Sequence, residues 1–436
     1  MTAAAPASAS GAFAYREGVL HAEAVPLDAI AAEVGTPCYV YAANAIRARL
    51  GALQRAFAHR DTLVCYALKA NSNLAIVRLL ANAGAGADTV SGGEVRRALA
   101  AGVRPQRIVL AGVAKTDDEI RLALAEGILQ LNVESIPELR RIGEIAAGMG
   151  RTAPVALRVN PDVVAGTHDR ISTGRRDDKF GIGYDQARDA YRLAATLEGI
   201  EPVGLHLHIG SQITRLEPFG RAYARGVELF EDLRAAGIPL RRLDLGGGFG
   251  VRYRDEPPID PAELAALVDR VVARLDCTLI LEPGRYLVAE AGVLVARVTY
   301  VKETDSRRFL LLDAGMNTLI RPMLYGAHHE ILPVRQSADA PAPVDVAGPI
   351  CESTDVFARD RLLSPLDAGD LVAFTSAGAY GAVMASDYNS RPRAAEVLVD
   401  GERFAVIKPR REAEAQFADE RVPEWLARGA EARGAL

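Results

Sequence analysis

The sequence predicts an α/β plus all-β protein. A (β/α)8, TIM-like barrel is joined to a second, mostly β domain (barrel or sandwich) formed by the C-terminal part and an N-terminal segment. Three observations carry that expectation. The chain has 436 residues, long for one domain and comfortable for two. From about residue 61 to 290, short β-branched runs alternate with amphipathic helical stretches, the pattern of parallel strands joined by helices. Beyond residue 290 the helical period fades, and strand-like runs between Gly, Pro and Asp turns take over.

Residues 1–13 are Ala/Ser-rich, with no basic start and no leucine-rich run, and read as a disordered tail and not a signal peptide. Segment 14–44 holds the strand-like run Cys38-Tyr39-Val40-Tyr41 and is expected to join the β domain. The barrel is expected over 45–290, with strands at 62–67, 86–90, 107–111, 128–133, 154–159, 202–209, 241–245 and 278–282. Helices fill most gaps, for instance 73–83 and 92–101. The second opens with Ser91-Gly92-Gly93-Glu94, a capping-box spacing, and ends before Gly102. Eight such units suggest a closed barrel; a doubly wound open sheet is the rival on pattern alone. Over 291–436, the runs 293–302, 308–312, 370–375 and 395–398 read as strands, and 336–343 as an exposed loop.

Composition narrows the partners. Hydrophobic residues make up 49%, enough for a sizeable core. The formal charge is -5 and basic residues are scattered, so neither nucleic acid nor an anionic membrane is expected. No apolar run reaches about 18 residues. The four cysteines (Cys38, Cys65, Cys277, Cys351) are widely spaced, with no C-x-x-C pair. That pattern fits a reducing, cytoplasmic location and argues against a disulfide framework or a zinc site.

A barrel's reactive groups collect at the C-terminal ends of its strands. There the sequence places Lys69 after the first strand, Asp88 and Ser91 after the second, and Arg158 and Asn160 after the fifth. His208 and Ser211 follow the sixth, Gly246-Gly247-Gly248 the seventh, and Glu282-Pro283-Gly284-Arg285 the eighth. A lone lysine is usually a solvated surface charge. Lys69, however, follows a nearly apolar strand, where a cation is costly unless paired or converted to a Schiff base. The glycine run is either a flexible turn or a backbone cradle for an anion. It is not a dinucleotide fingerprint, because position 251 is Val.

His206 and His208 lie two apart on one strand, so both face the interior. They read as an H-x-H metal pair or, preferably, as a buried, hydrogen-bonded core histidine (His206) and one at the mouth able to stack on a ring (His208). The other histidines do not fall at strand ends, which counts against the metal. Glu282 beside Arg285 is either an ion pair closing the barrel or a carboxylate bonded to a pyridine nitrogen.

The motifs Y-A-L-K-A-N (66–71), G-L-H-L-H-I-G-S-Q (204–212), L-D-L-G-G-G-F-G (243–250), E-P-G-R (282–285) and G-P-I-C-E-S (348–353) resemble those of the alanine-racemase-fold, pyridoxal-phosphate-dependent decarboxylases. Further stretches are similar to the diaminopimelate decarboxylase branch of that family: N-V-E-S (132–135), R-V-N-P-D (158–162), K-F-G-I (179–182), D-A-G-M-N (313–317), R-P-M-L-Y (321–325), A-G-A-Y-G (377–381) and Y-N-S-R-P (388–392). The resemblance runs from about residue 13 to about 408. Leu68 stands where relatives commonly carry Val.

The resemblance implies pyridoxal 5'-phosphate as cofactor and meso-2,6-diaminopimelate as substrate, converted to L-lysine and CO2 in the last step of lysine biosynthesis. Lys69 would hold the cofactor covalently, His208 would stack on its ring, and Glu282 would bond the ring nitrogen. Ser211, Gly246, Gly247, Gly248 and the Gly284–Arg285 turn would bind the phosphate, with Asp88 and Arg158 near the ring. Arg285, Arg321 and Tyr325 would hold the substrate's distal carboxylate, Glu352 its distal amine, and Tyr380 would line the pocket. Cys351, otherwise readable as a small buried hydrophobe, would supply a proton. In relatives Cys351 and Glu352 reach into a partner's site, so a homodimer is implied.

Three alternatives stand beside this reading. A sister decarboxylase of ornithine, lysine or arginine would want acids where Arg321 and Tyr325 stand. A non-catalytic binding homologue has no need of Lys69, Glu282 and Cys351 together. A metal-dependent hydrolase would need more histidines at strand ends.

Overall fold

The computed structural model describes residues 11–163 and 179–426. Eight parallel strands form its centre: β1 (Thr62–Ala67), β2 (Gly86–Thr89), β3 (Ile108–Leu110), β4 (Gln130–Val133), β5 (Ala153–Asn160), β6 (Ile200–His206), β7 (Arg242–Asp244) and β8 (Thr278–Leu281). β8 pairs with β1 through Leu279 and Thr62, and β4 pairs with β5 through Leu131 and Val155. The sheet therefore closes on itself, and the open-sheet alternative is excluded.

Several barrel helices start where a side chain satisfies their first N–H groups. Ser135 accepts from Glu138 N at 3.3 Å ahead of helix Ile136–Gly148, and Asp260 accepts from Ala262 N at 2.7 Å ahead of Pro261–Val272. Thr116 and Glu119 make a complete capping box before Asp117–Glu126. The box expected at Ser91 and Glu94 is only half made. Ser91 Oγ accepts from Glu94 N at 3.2 Å, but the Glu94 carboxylate turns to Val90 N at 2.9 Å. That still satisfies a backbone donor at the entry to helix Gly92–Ala100.

In the second domain the long strand Gly292–Glu303 is the hub. It runs antiparallel to Arg308–Leu312, Leu371–Phe374 and the N-terminal strand Cys38–Ala42. Cys38–Ala42 lies parallel to Ala395–Asp400, so the N-terminal segment sits inside the C-terminal sheet, as expected. One expectation needs correction. Residues 1–10 of the expected tail lie outside the described residues, but Ala12 and Phe13 are buried, and Phe13 opens the strand Phe13–Arg16, paired with Val19–Ala22. Burial of the Phe13 ring and pairing of its strand hold residues that composition marks as frayed.

The barrel interior is layered. Leu63, Cys65, Val109 and Ile280 make a separate apolar plug, and polar side chains occupy the C-terminal half above it. Strand periodicity decides this: residues two apart on one strand point the same way, so one strand supplies both plug and rim.

Candidate active site

Lys69 lies in the single turn Leu68–Ala70 into which β1 runs. Its Nζ donates to Asp88 Oδ2 at 2.9 Å, across at the end of β2. The other Asp88 oxygen is buried without a partner. Burial opposes the Lys69 ammonium, but Asp88, with Tyr380 and Glu282 behind it, more than offsets that and raises its pKa. Burial and the neighbouring Glu282 push Asp88 up in turn, against the pull of Lys69.

His208 lies two residues beyond the end of β6. Burial, then Arg158 and Lys69, hold its pKa well below the ordinary histidine value, so the ring is neutral at pH 7. Gly247 N–H donates to His208 Nδ1 at 3.4 Å, which leaves the ring proton on Nε2.

Glu282 follows β8 and is 3% exposed. His206 Nε2 lies 3.2 Å from its Oε2, and Asn132 Nδ2 donates to its Oε1 at 3.3 Å. Burial would raise this carboxyl; His206 against it, then Lys69 and His208, outweigh burial and hold it below the usual carboxylate range. His206 is thus the buried, hydrogen-bonded core histidine expected, with Glu282 as its partner. Among the described residues, the group of three or more side chains that brings donor atoms together is His206, Asp244 and Glu282, and it does not include His208.

The Gly246–Gly248 turn is shaped by close approach. A Cβ at Gly246 (φ +68°) would sit 2.2 Å from Leu207 O, one at Gly247 2.0 Å from Glu282 O, and one at Gly248 (φ +93°) 2.3 Å from Gly210 O. Only glycine lets these loops stack at the rim.

Beside the rim opens a cavity of about 360 Å³, lined among others by His208, Ser211, Tyr253, Arg285, Arg321 and Tyr380, with Tyr325 also on its wall. A larger groove of about 660 Å³ lies elsewhere, against Asp28, Arg297 and Leu371, away from all these groups. In the smaller cavity Arg285 donates to Tyr253 Oη at 2.6 Å and to Ser211 Oγ at 3.1 Å. Its guanidinium lies 4.7 Å from the Tyr380 ring centroid. Arg321 opens the short helix Arg321–Tyr325 and lies 4.6 Å from the Tyr253 ring centroid.

Arg321 Nη1 donates to His329 Nε2 at 2.8 Å, and His329 Nδ1 donates to Thr375 O at 2.8 Å. A carbonyl can only accept, so the His329 tautomer is fixed, with Nε2 as a pure acceptor. Burial, then Arg321, push the His329 pKa down to about 3. Among the described residues, neither Arg285 nor Arg321 forms an ion pair with a carboxylate, although both are buried. Tyr380 holds a left-handed backbone (φ +56°), fixed by its N–H to Ala70 O at 2.8 Å, which sets its ring against Arg285.

Cys351 and Glu352 are not brought to this cavity. Both are exposed. Cys351 N and Sγ each lie 3.4 Å from Asn389 Oδ1, and Tyr388 Oη–H donates to Glu352. Their loop is braced from beneath by Asp355, whose carboxylate accepts from Ile350 N and Met316 N, both at 2.7 Å.

Residue-by-residue reading of the sequence did not single out Tyr253, His329, Asn132 or Asp244. Asp244 and Asn132 fall inside matched motifs on inward-facing strand positions, a usable signal. Tyr253 lies in an irregular stretch and His329 after a five-residue helix, where no periodicity points to them.

The set fits a phosphorylated pyridine aldehyde. It offers one amine (Lys69), a carboxylate beneath it, a neutral imidazole wall, a glycine turn that a Cβ would block, and Arg285 with its buried Nε unpartnered. Residues 43–289 match the pyridoxal binding domain of the pyridoxal-dependent decarboxylases. The diaminopimelate decarboxylase of Pseudomonas aeruginosa is 50% identical over 409 residues, covering 94% of this chain and 98% of that protein. The Vibrio cholerae diaminopimelate decarboxylase is 47% identical over 412 residues, covering 94% and 99%. Among solved structures, diaminopimelate decarboxylase from M. jannaschii in complex with L-lysine superposes with a TM-score of 0.92 at 37% identity, covering 96% of this chain and 99% of that one. A lysine/ornithine decarboxylase from Vibrio vulnificus complexed with putrescine gives 0.74 at 26% identity, covering 86% and 96%. Among the described residues no helix is long and apolar enough to cross a membrane.

Proposed function

The chain belongs to the diaminopimelate decarboxylases of the pyridoxal-dependent family, and from that premise we propose that it releases CO2 from meso-2,6-diaminopimelate to leave L-lysine. The observation that carries the substrate choice is the pair of buried guanidiniums, Arg285 and Arg321, facing one cavity without a carboxylate of their own. A buried cation of this kind wants an anion. A substrate with a cationic tail would leave both guanidiniums unsatisfied, at a cost that amounts to discrimination.

Pyridoxal phosphate, when bound, supplies an electron sink for the pair left behind as CO2 departs. The chain's own residues do the rest. Lys69 is the amine that carries the cofactor, and Asp88 holds that amine in register. Glu282 takes the ring nitrogen, and an ionised carboxylate there favours the protonated ring. His208 forms a neutral wall, so it adds no charge to compete with Glu282 for the nitrogen proton. Ser211 with the Gly246–Gly248 and Gly284–Arg285 turns takes the phosphate. Arg321 and Tyr325, with Arg285, hold the distal carboxylate, and Tyr380 closes the side of the pocket.

The proton that replaces the departing carboxylate comes from the Cys351 thiol, and Glu352 takes the distal amine. Both stand exposed outside the cavity of their own chain, which supports a homodimer in which each chain completes its partner's site. Exposed Leu74 and Val383 line one groove, and exposed Tyr388 contacts Glu352; apolar surface of this kind is what an interface covers. The same reading divides the chain into a cofactor-binding barrel over 45–290 and a β domain over 14–44 and 291–436.

The test supplies the purified protein with pyridoxal phosphate and measures CO2 release from meso-diaminopimelate, L-lysine, L-ornithine and L-arginine separately. Release from meso-diaminopimelate alone, abolished by Lys69→Ala, is the expected result. Release from a diamino acid lacking the second carboxylate overturns the assignment of Arg321.

A further inference from the structure

Directly above the apolar plug of the barrel lies a layer of five polar side chains: Gln130, Asn132, His206, Asp244 and Glu282, none more than 3% exposed. The donor atoms of His206, Asp244 and Glu282 lie within 4.8 Å of one another. Two carboxylates this close in a dry interior do not both ionise; one keeps a proton.

The surroundings decide which. Glu282 opens toward the mouth, where Lys69 and His208 stand, and it receives His206 Nε2 at 3.2 Å and Asn132 Nδ2 at 3.3 Å. Asp244 lies deeper, accepts from Gly246 N at 3.0 Å and from Asn132 Nδ2 at 3.2 Å, and has the Cys65 thiol and Tyr223 nearby. The remaining charges near the layer are Asp88, paired with Lys69, and Glu134, which meets Arg158 at 3.0 Å. Burial, then Glu282, drives the Asp244 carboxyl far above the usual range, while Glu282 is held below it. His206 Nδ1 is buried without a partner, so the ring's one polar contact is through Nε2, and a carboxylate oxygen there can only accept.

We propose that Asp244, as a neutral carboxylic acid, and His206, through Nε2–H, are positioning residues that hold Glu282 ionised and aimed at the cofactor's ring nitrogen. This rests on the assignment of Glu282 to that nitrogen. Asn132 and His206 meet Glu282 from below, the Asp244 carboxyl lies within 4.8 Å of it, and its upper edge is left for the pyridinium. A carboxylic acid kept neutral by its site so that it can donate is known chemistry. A metal reading of the same triad is disfavoured by the Asn132 amide, whose N–H groups point at both carboxylates where a cation would have to sit.

The test compares the dissociation constant of pyridoxal phosphate, and the pH at which the bound cofactor's absorbance changes, across six full-length proteins: wild type, Asp244→Asn, Asp244→Ala, His206→Gln, His206→Leu and Glu282→Gln. Asp244→Asn has the shape and donor of a neutral acid and is expected to keep the affinity within about threefold. Asp244→Ala and His206→Leu are expected to weaken binding about tenfold and to move the absorbance midpoint by about one pH unit, with His206→Gln restoring part of the loss. If Asp244→Asn is as damaging as Asp244→Ala, Asp244 is ionised and the inference is overturned. If Glu282→Gln changes both readouts but Asp244→Ala and His206→Leu change neither, the inference alone fails. If Glu282→Gln changes nothing, the assignment of Glu282 itself fails. A stoichiometric divalent ion retained through dialysis by wild type and lost in His206→Leu also overturns the inference.

Discussion

Replacing Arg321 with Met removes a charge while nearly preserving volume, and it is the sharpest perturbation of substrate choice. Arg321 is 6% exposed and its position is fixed from two sides, by His329 Nε2 at 2.8 Å and by the Tyr253 ring at 4.6 Å. A hydrogen bond to a charged partner contributes about 1.5–3 kcal/mol, so a guanidinium presenting two of them to the distal carboxylate contributes about 3–6 kcal/mol. Converted at about 1.4 kcal/mol per decade, Arg321→Met lowers kcat/KM for meso-diaminopimelate between about one hundred- and twenty thousand-fold. The lower end is expected, because Arg285 shares the Tyr253 ring and stays behind as a second cation. The assay is the initial rate of CO2 release over a range of substrate concentrations, alongside the absorbance of the bound cofactor. The expected pattern is a KM effect larger than the kcat effect, with cofactor absorbance intact. A change in kcat/KM of less than threefold refutes the reasoning, and loss of the cofactor band places Arg321 in the cofactor site instead.

Other outcomes follow from the same geometry. His329 is neutral when folded, with a pKa near 3, whereas the unfolded chain titrates near 6.5. The unfolded state therefore binds more protons between these values, and stability is full above pH 6.5 and falls as the pH drops toward 3, by up to about 1.4 kcal/mol per pH unit from this group. Urea unfolding between pH 7 and 4.5 checks this: His329→Gln should show a shallower loss, and equal slopes refute it. Gly247→Ala places a methyl 2.0 Å from Glu282 O, and the melting temperature should show a loss of at least about 2 kcal/mol together with weaker cofactor binding. An unchanged melt shows that the loop yields. Tyr253→Phe removes the hydroxyl that Arg285 meets at 2.6 Å but keeps the ring between the two guanidiniums. A rise in KM of about threefold to tenfold is expected, measured by the same rate assay; no rise means the ring alone does the positioning.

Much of this was legible in the sequence because it rides on periodicity. The strand ends put Lys69, Asp88, His208 and Glu282 on one rim, and the period of two put His206 below His208 on the same inner face. Turn chemistry marked the Gly246–Gly248 run, where the backbones approach closely. What escaped was set by tertiary contact. His329 acquires its role from Thr375, 46 residues away, and Tyr253 from a packing between Arg285 and Arg321 that no local pattern encodes. Phe13 differs from its composition for a related reason: its ring is buried by a packing that no local pattern encodes. The Cys351 loop illustrates the converse. Its motif is plain in the sequence, yet within one chain it stands away from the cavity it is proposed to serve.

That separation makes subunit complementation the most direct test of the account. Lys69→Ala and Cys351→Ala proteins are each expected to release almost no CO2 from meso-diaminopimelate. Unfolded together and refolded as a mixture, they should recover up to about a quarter of the wild-type rate, because half of the dimers are mixed and each of those carries one intact site. No recovery in a mixture that contains mixed dimers, or a fully active Cys351→Ala protein, would contradict a site built from the barrel of one chain and the Cys351 loop of the other.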